Sequence, residues 1–264
     1  MTTTTTYAIF WGNTWVTNPG DKIAGIDAWY TGYGETLFAQ TQNEYAGLNG
    51  QVTATSVYKG EEQHGEKCHA LSSHSFTPPK GHFVDTSTVT GSTAKDIVRE
   101  VCKVIAANGL AVDATSYFGV YLDVPRCDSV TKTCANYCAW HSGGTCSSGT
   151  TGAVFQFGFF WNLDDDAGCD PNDDPTVTGH SQGLAALANL SGHELGEART
   201  SPGSFGAGAW YIVQGSDSVE VGDKCAWMFP QPFVTFKDGT KWKQHAMWSN
   251  NAYIQTGNGC ITSV

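Results

Sequence analysis

Nine cysteines in a chain of 264 residues constrain the fold of this protein more than any other feature of its sequence. Four of them, Cys127, Cys134, Cys138 and Cys146, crowd one segment that is rich in Ser, Thr and Gly. Such a segment cannot bury a hydrophobic core of its own, whereas disulfides that close short loops would stabilise it. The alternative is a zinc knuckle that uses Cys134, Cys138 and the nearby His141. We predict disulfides, and the spacing leaves their connectivity open.

The cysteine count also predicts the cellular compartment. Disulfides persist in oxidising environments, and the chain combines few lysines with many Gly, Ser, Thr and Trp residues, which is typical of secreted proteins. Its start, MTTTTTYAIFWG, is expected to be a mature secreted N-terminus preceded by an added Met. We therefore predict a secreted, extracellular protein. Because nine is an odd number, one free thiol is expected, and Cys102 on an apolar helix face is the candidate.

Charge and hydropathy exclude several classes of partner. The chain carries 14 basic and 25 acidic residues, with a formal net charge of −11. It has no basic stripe that could neutralise phosphates, which argues against nucleic acid and against anionic membranes. The sequence lacks a run of about 18 apolar residues, so no transmembrane helix is predicted. With 40% apolar residues the chain can bury a substantial core, and we expect a monomer.

Hydrophobic periodicity predicts strands and helices along most of the chain. The segment 92–109 is the clearest helix, because its apolar residues recur at helical spacing, Ser92 or Thr93 can cap its start, and Asn108-Gly109 supplies a stop. The run 153–161 is apolar on both faces and is therefore predicted to be a central strand. Strands are further predicted at 7–12, 51–58 and 116–124, two helical pieces within 21–46, and a helix at 181–199.

This order of elements predicts the fold class. The order β-α-β-α-β-β-helix indicates an α/β (α+β) protein with a mixed sheet and backing helices. Neither an internal repeat nor an interdomain linker is visible, so residues 1–264 are expected to form a single domain. Within it, residues 1–202 would form the α/β core, and the Gly- and aromatic-rich residues 203–264 would form an irregular, disulfide-bonded C-terminal lobe.

Two polar segments raise the question of metal binding outside any helix. Residues 60–92 contain four histidines at irregular spacing, which favours a solvated loop over a metal site. These histidines are His64, His69, His74 and His82. Residues 162–175 form an acidic turn region that lacks the regular ligand spacing of an EF-hand loop. We therefore expect a surface loop and an acidic turn, with calcium as the open alternative at 162–175.

The stretch 178–200, TGHSQGLAALANLSGHELGEART, contains two catalytic signatures. The first, GHSQG, has the G-x-S-x-G form of a serine-hydrolase nucleophile elbow, with Ser181 as nucleophile. Asp217 or Asp223 would be its acid and His245 its base. Three features argue against a nucleophile elbow. The strand before it would be only PTVTG, no HGGG-type oxyanion loop occurs upstream, and the chain after Ser181 is too short for the usual run of βα units. A serine hydrolase is therefore the third hypothesis.

The second signature, HELGE, predicts a metal site on a helix. His193 and Glu197 are four residues apart and lie on one helix face, so that both can reach one metal ion. Glu194 lies beside them, where it can hold a metal-bound water without binding the metal, as a general base must. A bound zinc ion would lower the pKa of that water toward about 7. Gly192 and Gly196 inside the helix indicate close packing or an approaching ligand, which favours a metal site over a plain amphipathic helix.

A third metal ligand must come from outside this helix. The segment EVGDKC presents two carboxylates beside a cysteine that a disulfide could hold in place. Asp223 is the preferred ligand and Glu220 the second choice, although a pair of surface acids is the competing interpretation. His141 in CAWHS is expected to face the site, and His245 or His141 could stabilise the oxyanion of a tetrahedral intermediate.

Several segments together resemble a known family. FWGNTW, CANYCAWHSGG, SGHELGEARTSP, WYIVQGSDSVEVGDKCAW and AMWSN are similar to the Exordium/phosphate-induced-protein-like secreted proteins, especially their microbial relatives. The resemblance extends from about residue 7 to about residue 260. It implies a zincin-like metallopeptidase fold. The matching positions are His193 and Glu197 for the metal, Glu194 for the base, and Glu220 and Asp223 for the family's E-x-G-D pair.

One position departs from the family pattern. The T-D-P that usually follows the helix reads Thr200-Ser201-Pro202 here, so any ligand that relatives place on this Asp is missing. The plant branch of the family lacks the His-Glu pair, which implies that the fold can serve without this metal site. The leading hypothesis is a secreted zinc peptidase that acts on proteins or peptides. The second is a non-catalytic protein that binds cell-wall glycan through exposed Trp faces, and its competing interpretation is that the tryptophans form the core.

Overall fold

The computed structural model describes residues 1–59, 82–147, 152, 154–203, 208–214 and 217–264. The strands are β1 (Thr4–Trp11), β2 (Ala46–Gly47), β3 (Gly50–Gln51), β4 (Ser56–Tyr58), β5 (His82–Asp85), β6 (Ser116–Pro125), β7 (Ala139–Thr145), β8 (Val154–Asn162), β9 (Ile212–Gln214), β10 (Asp217–Val219), β11 (Val234–Thr235), β12 (Lys241–Trp242), β13 (Met247–Trp248) and β14 (Cys260–Ile261). The helices are α1 (Thr14–Thr17), α2 (Lys22–Tyr33), α3 (Leu37–Gln40), α4 (Ala94–Asn108), α5 (Pro175–Thr178), α6 (Gln182–Thr200) and α7 (Asn250–Thr256), with a 3-10 turn at Asp223–Cys225. Within these described ranges, none of the helices is long and apolar enough to cross a bilayer.

Six strands form one central sheet. Its order is β4–β1–β6–β8–β7, and β5 also pairs with β1. All of these pairs are parallel except β7, which runs antiparallel to β8. Strand β8 has a neighbour on each side, which confirms the central strand predicted at 153–161. The protein is therefore a mixed α/β fold built on a mostly parallel sheet, as the order of elements predicts.

Helices cover both faces of this sheet. On one face, Ile97, Val101 and Ile105 of α4 join a buried cluster with Ile9 and Phe118 of the sheet. On the opposite face, α2 and α6 share a second and larger buried cluster with the sheet. This arrangement explains why β8 is apolar on both of its sides, because neither side meets solvent. It also places the HELGE sequence of α6 on the face opposite α4.

The segment between β6 and β8 contains a strand that the sequence did not predict. Residues Ala139–Thr145 (β7) lie in the cysteine-rich region, which was expected to be a loop. The sequence AWHSGGT has little strand propensity of its own, but all seven residues pair with β8. Such pairing at a sheet edge overrides weak local preference. The strand predicted at 51–58 is instead two short pieces, of which only β4 joins the central sheet.

Four disulfides join eight of the nine cysteines. The pairs are Cys102–Cys146, Cys127–Cys134, Cys138–Cys169 and Cys225–Cys260. The predicted disulfides are confirmed, and Cys134 and Cys138 are not available to a zinc knuckle. The prediction that Cys102 is the free thiol is wrong, because α4 packs against β7 and brings its Cα to 5.6 Å from that of Cys146. The ninth cysteine, Cys68, lies outside the described residues.

The nine tryptophans, all within the described residues, serve mainly the core. Trp11, Trp15, Trp29 and Trp242 are buried, and four others are half-buried. Trp227 differs, because 43% of its surface is exposed. Most tryptophans therefore contribute buried apolar area to the core. Only Trp227 presents an exposed indole ring that could stack on a glycan.

A buried glutamate on α4 makes the stability of this fold depend on pH. Glu100 is 3% exposed, and its carboxyl group shares a hydrogen bond with Asp85. Burial, followed by the hydrogen bond and charge of Asp85, raises the pKa of Glu100 from an ordinary 4.5 to about 7. The folded protein therefore holds a proton that the unfolded chain has released. As a result, the free energy of unfolding falls as the pH rises from about 4.5 to about 7.

We expect Glu100→Gln to remove this pH-dependent loss of stability, because the amide of the new Gln can donate a hydrogen bond to Asp85 as the protonated carboxyl does. Wild type should lose about 2–3 kcal/mol of unfolding free energy between about pH 5 and about pH 8, at about 1.4 kcal/mol per pKa unit, and the variant should not show this loss. Urea unfolding at the two pH values measures this difference, with the exposed Glu35→Gln as the control. The same pH dependence in wild type and in the Glu100 variant would contradict the prediction.

Candidate metal centre

Helix α6 carries the HELGE sequence through the interior of the protein. It begins behind Ser181, whose side-chain oxygen accepts a hydrogen bond from the backbone N–H of Leu184 at 3.2 Å. Every residue from Gly183 to Thr200 is buried. Because the whole helix is enclosed, its polar side chains must find partners within the protein or bind a ligand.

The two glycines at 192 and 196 lie against buried side chains of other segments. A Cβ atom on Gly192 would lie 2.1 Å from Oε1 of Gln244. A Cβ atom on Gly196 would lie 2.5 Å from Nε2 of Gln42. Of the two interpretations that the sequence offered for these glycines, the described contacts support close packing.

Three side chains converge at the C-terminal half of α6. The Nε2 atom of His193 lies 3.2 Å from Oε1 of Glu197 and 3.5 Å from Oδ1 of Asp223. Ligand atoms that bind one zinc ion tetrahedrally at about 2.0–2.1 Å stand about 3.3 Å apart. The structure therefore brings the two predicted ligands on the helix together with the preferred third ligand, at a spacing that one such ion would fit.

The backbone of the EVGDKC segment holds this arrangement in place. The N–H groups of Gly222 and Asp223 both donate to Oε1 of Glu197, at 3.2 and 3.0 Å. A Cβ atom on Gly222 would lie 2.7 Å from Nδ1 of His193, so only glycine allows the backbone to approach this closely. A role for Gly222 was not predicted from the sequence, although its place between Glu220 and Asp223 was the available signal.

A second group of ligands adjoins the first. The Nε2 atom of His141, on β7, lies 3.0 Å from Oε2 of Glu220 and 3.6 Å from Oε2 of Glu197. Glu220, the second choice for a third ligand, thus pairs with His141 rather than with His193. The prediction that His141 faces the site agrees with this geometry. Glu197 is common to both groups and presents a different carboxylate oxygen to each.

The carboxylates of the centre stabilise positive charge on its two imidazoles. Burial acts to lower the pKa of His193, but the carboxylates of Glu197 and Asp223 outweigh it and hold the pKa well above its ordinary value. Burial also acts to lower the pKa of His141. The carboxylates of Glu220 and Glu197 outweigh burial and raise this pKa to about 9. Each imidazole therefore lies where neighbouring carboxylates stabilise a positive charge.

Glu194 is the remaining carboxylate of the HELGE sequence. It is 3% exposed, and it interacts electrostatically with His193, Glu197, His141 and Asp223. Burial raises the pKa of Glu194 to about 8, while the positive charge of His193 acts to lower it. A divalent cation in the centre would lower this pKa as well. The protonation of Glu194 thus responds to what the centre binds, as expected of a group that takes up and releases a proton.

His245 occupies a different position from the one that its predicted catalytic role requires. Its Nε2 atom lies 2.7 Å from Nδ1 of His193, on the side of that ring away from Glu197 and Asp223. Burial, and then the charge of His193, holds the pKa of His245 well below its ordinary value, so the ring is neutral. A neutral Nε2 accepts the Nδ1–H of His193 and leaves Nε2 of His193 free for a metal. His245 therefore contacts the ring of His193 on the side opposite Glu197 and Asp223.

The geometry around Ser181 does not support a nucleophile elbow. Residues Pro175–Thr178 are helical where the elbow requires a strand. The Ser181 hydroxyl donates to Oδ1 of Asp21 at 2.6 Å and caps α6. His245 contacts His193, which lies about 18 Å further along the helix at 1.5 Å per residue. Ser181 therefore acts as a helix cap and is far from its predicted base.

The acidic turn 162–175 uses its carboxylates in ion pairs. Oδ2 of Asp164 lies 2.7 Å from Nζ of Lys22, and Oδ2 of Asp166 lies 2.5 Å from Nε of Arg126. Among the residues that the structure describes, converging groups of three possible metal ligands occur only around Glu197. The alternative of a calcium site at 162–175 therefore receives no support.

Other predicted groups lie apart from the centre or outside the described residues. His82 pairs with Asp27, with 2.7 Å between Nδ1 and Oδ2. His64, His69, His74 and the side chain of Asp217 belong to the part of the chain that the structure does not describe.

Comparisons with models of known protein families, with curated proteins and with solved structures found no match to this chain. The resemblance of its segments to the Exordium-like proteins is therefore an expectation that these comparisons do not test. A fold of this class hosts many unrelated activities, so the function has to be inferred from the chemistry of the centre.

Proposed function

We propose that this protein is a secreted zinc-dependent peptidase with a zincin-like active-site helix. The observation that carries the proposal is the convergence of one imidazole and two carboxylates, His193, Glu197 and Asp223, with 3.2 and 3.5 Å between the ligand atoms. Three such ligands suit zinc and leave a fourth position for water, as in catalytic zinc sites. The four disulfides support export to an oxidising compartment.

The residues around the ligands have the roles that hydrolysis requires. Zinc bound here would supply Lewis acidity to a scissile carbonyl and would acidify a bound water. Glu194 would take the proton of that water and pass it to the leaving amine. His245 fixes the ring of His193 so that Nε2 points at the carboxylates. Asp223 has the most exposed side chain of the three ligands, at 44%, and marks the side from which a substrate would enter.

An apolar rim beside the centre offers contacts for a polypeptide substrate. Trp227 is 43% exposed and Met228 48% exposed. Both residues follow the 3-10 turn Asp223–Cys225, which carries the most exposed of the three proposed ligands. Exposed apolar side chains grouped next to a candidate active site indicate a binding surface, here for apolar residues of a protein or peptide. Trp227 could equally stack on a sugar, which supports metal-free binding of cell-wall glycan as the second candidate function.

Metal content tests the proposal directly. Elemental mass spectrometry of wild type purified with zinc should find bound zinc, and His193→Ala should hold at least one equivalent less and have no activity on a mixed peptide library. His82→Ala, which removes a histidine from the Asp27 ion pair, is the matched control and should retain both zinc and activity. A wild type that binds no zinc under these conditions would overturn the peptidase proposal. Glycan binding by that metal-free protein would favour the second candidate.

A further inference from the structure

We infer that the centre binds two divalent metal ions, bridged by the carboxylate of Glu197. This inference rests on the proposed function and extends it, because a single catalytic zinc needs only His193, Glu197 and Asp223. It is carried by the second group of ligands, which the single-ion site leaves unused. That group consists of His141, Glu220 and the other oxygen of Glu197.

The two half-sites have the same composition. In the first, Nε2 of His193 faces Oε1 of Glu197 and Oδ1 of Asp223 at 3.2 and 3.5 Å. In the second, Nε2 of His141 faces Oε2 of Glu220 and Oε2 of Glu197 at 3.0 and 3.6 Å. Each half-site thus offers one imidazole nitrogen and two carboxylate oxygens, close to the spacing of about 3.3 Å expected around a tetrahedral zinc ion.

The carboxylate of Glu197 is placed to bridge two metal ions. The backbone N–H groups of Gly222 and Asp223 fix its Oε1 atom on the side of His193, which turns Oε2 toward His141. Its side chain is only 3% exposed, so neither oxygen is committed to bulk solvent. Ions in two-metal hydrolytic sites lie about 3.5–4 Å apart and commonly activate one water between them.

The second half-site is held by the fold as firmly as the first. His141 is paired with Gly158 within the β7–β8 ladder, and its side chain is 7% exposed. The side chain of Glu220 is 16% exposed and accepts a hydrogen bond from the Ser201 side chain. Hydrogen bonds of this kind orient metal ligands and tune their affinity.

Metal stoichiometry, measured without reference to activity, tests the inference. Metal-free protein is titrated with Zn²⁺ in a calorimeter, and with Mn²⁺ while electron paramagnetic resonance detects magnetic coupling between neighbouring ions. We expect two equivalents of Zn²⁺ and a coupled Mn²⁺ spectrum in wild type. His141→Ala and the isosteric Glu220→Gln should each bind one equivalent and give an uncoupled spectrum. His82→Ala should behave as wild type, and circular dichroism verifies the fold of every variant.

The possible results separate this inference from the proposed function. One equivalent in wild type that His141→Ala retains and His193→Ala loses would overturn the two-ion inference and support the single-zinc peptidase, with a proton on His141 in place of the second ion. No binding in wild type would overturn both. Two equivalents in both His141→Ala and Glu220→Gln would place the second ion elsewhere and overturn the bridged centre.

Discussion

Replacing Glu194 with Gln is expected to abolish peptide hydrolysis while leaving the metal in place. The substitution keeps the size of the side chain but removes the carboxylate that would accept the proton of the attacking water. Glu194 is adjacent to the proposed ligand His193, and among the described residues it belongs to neither group of converging ligand atoms. Loss of a general base lowers kcat/KM by about a hundredfold to ten-thousandfold. Metal content should remain that of wild type, because all the proposed ligands are intact.

The measurement pairs peptide hydrolysis with metal content for three proteins. These are wild type, Glu194→Gln, and Glu100→Gln as the control. Glu100 is a suitable control because it is equally buried, at 3% exposure, but belongs to α4 on the opposite face of the sheet. The control should keep its activity. A Glu194 variant with full metal content and full activity would remove Glu194 from the mechanism.

Removing the disulfide between Cys225 and Cys260 is expected to destabilise the fold and loosen the metal centre. The bond closes a loop with a sequence separation of 35, and opening such a loop costs about 4 kcal/mol in the unfolded-chain entropy model. In a chain of this size that corresponds to a fall in Tm of about 10 °C. The disulfide also anchors the 3-10 turn that begins at Asp223, next to the Gly222 backbone that holds Glu197. Zinc affinity should therefore fall together with stability.

The double variant Cys225→Ala/Cys260→Ala is compared with Cys127→Ala/Cys134→Ala. The control pair closes a loop with a separation of 7, for which the same model gives about 2 kcal/mol, and it precedes β7, the strand that carries His141. Thermal unfolding and competition with a zinc chelator give the two readouts. The control should lose some stability and keep its zinc affinity. Equal zinc affinity in all three proteins would show that the disulfide does not position Asp223.

The sequence by itself determined the features that depend on neighbouring residues. Helix α4 follows from its apolar spacing, from the cap at Thr93 and from Gly109, which adopts the left-handed conformation with a φ of 59°. The burial of β8 follows from an apolar run on both faces. His193 and Glu197 share a face because four residues make about one helical turn. Each of these inferences needs only local geometry, so the structure agrees with them.

Only the tertiary structure decided how distant segments meet. The partner of Cys102 depends on how α4 packs against β7, and spacing along the chain carries no record of that contact. Strand β7 exists because β8 pairs with it, although its own sequence favours a loop.

The candidate metal centre likewise combines features that the sequence predicts with features that only the tertiary structure determines. The sequence proposed residues that the structure brings together, but it could not assign Asp223 to His193 and Glu220 to His141. It also offered His245 as a group that stabilises an oxyanion, whereas the fold places this ring against Nδ1 of His193. These pairs are 30, 79 and 52 residues apart, and their distances are set by the packing of α6 against the sheet and the C-terminal lobe. Local rules fix what a residue can do, and long-range packing fixes which partner it meets.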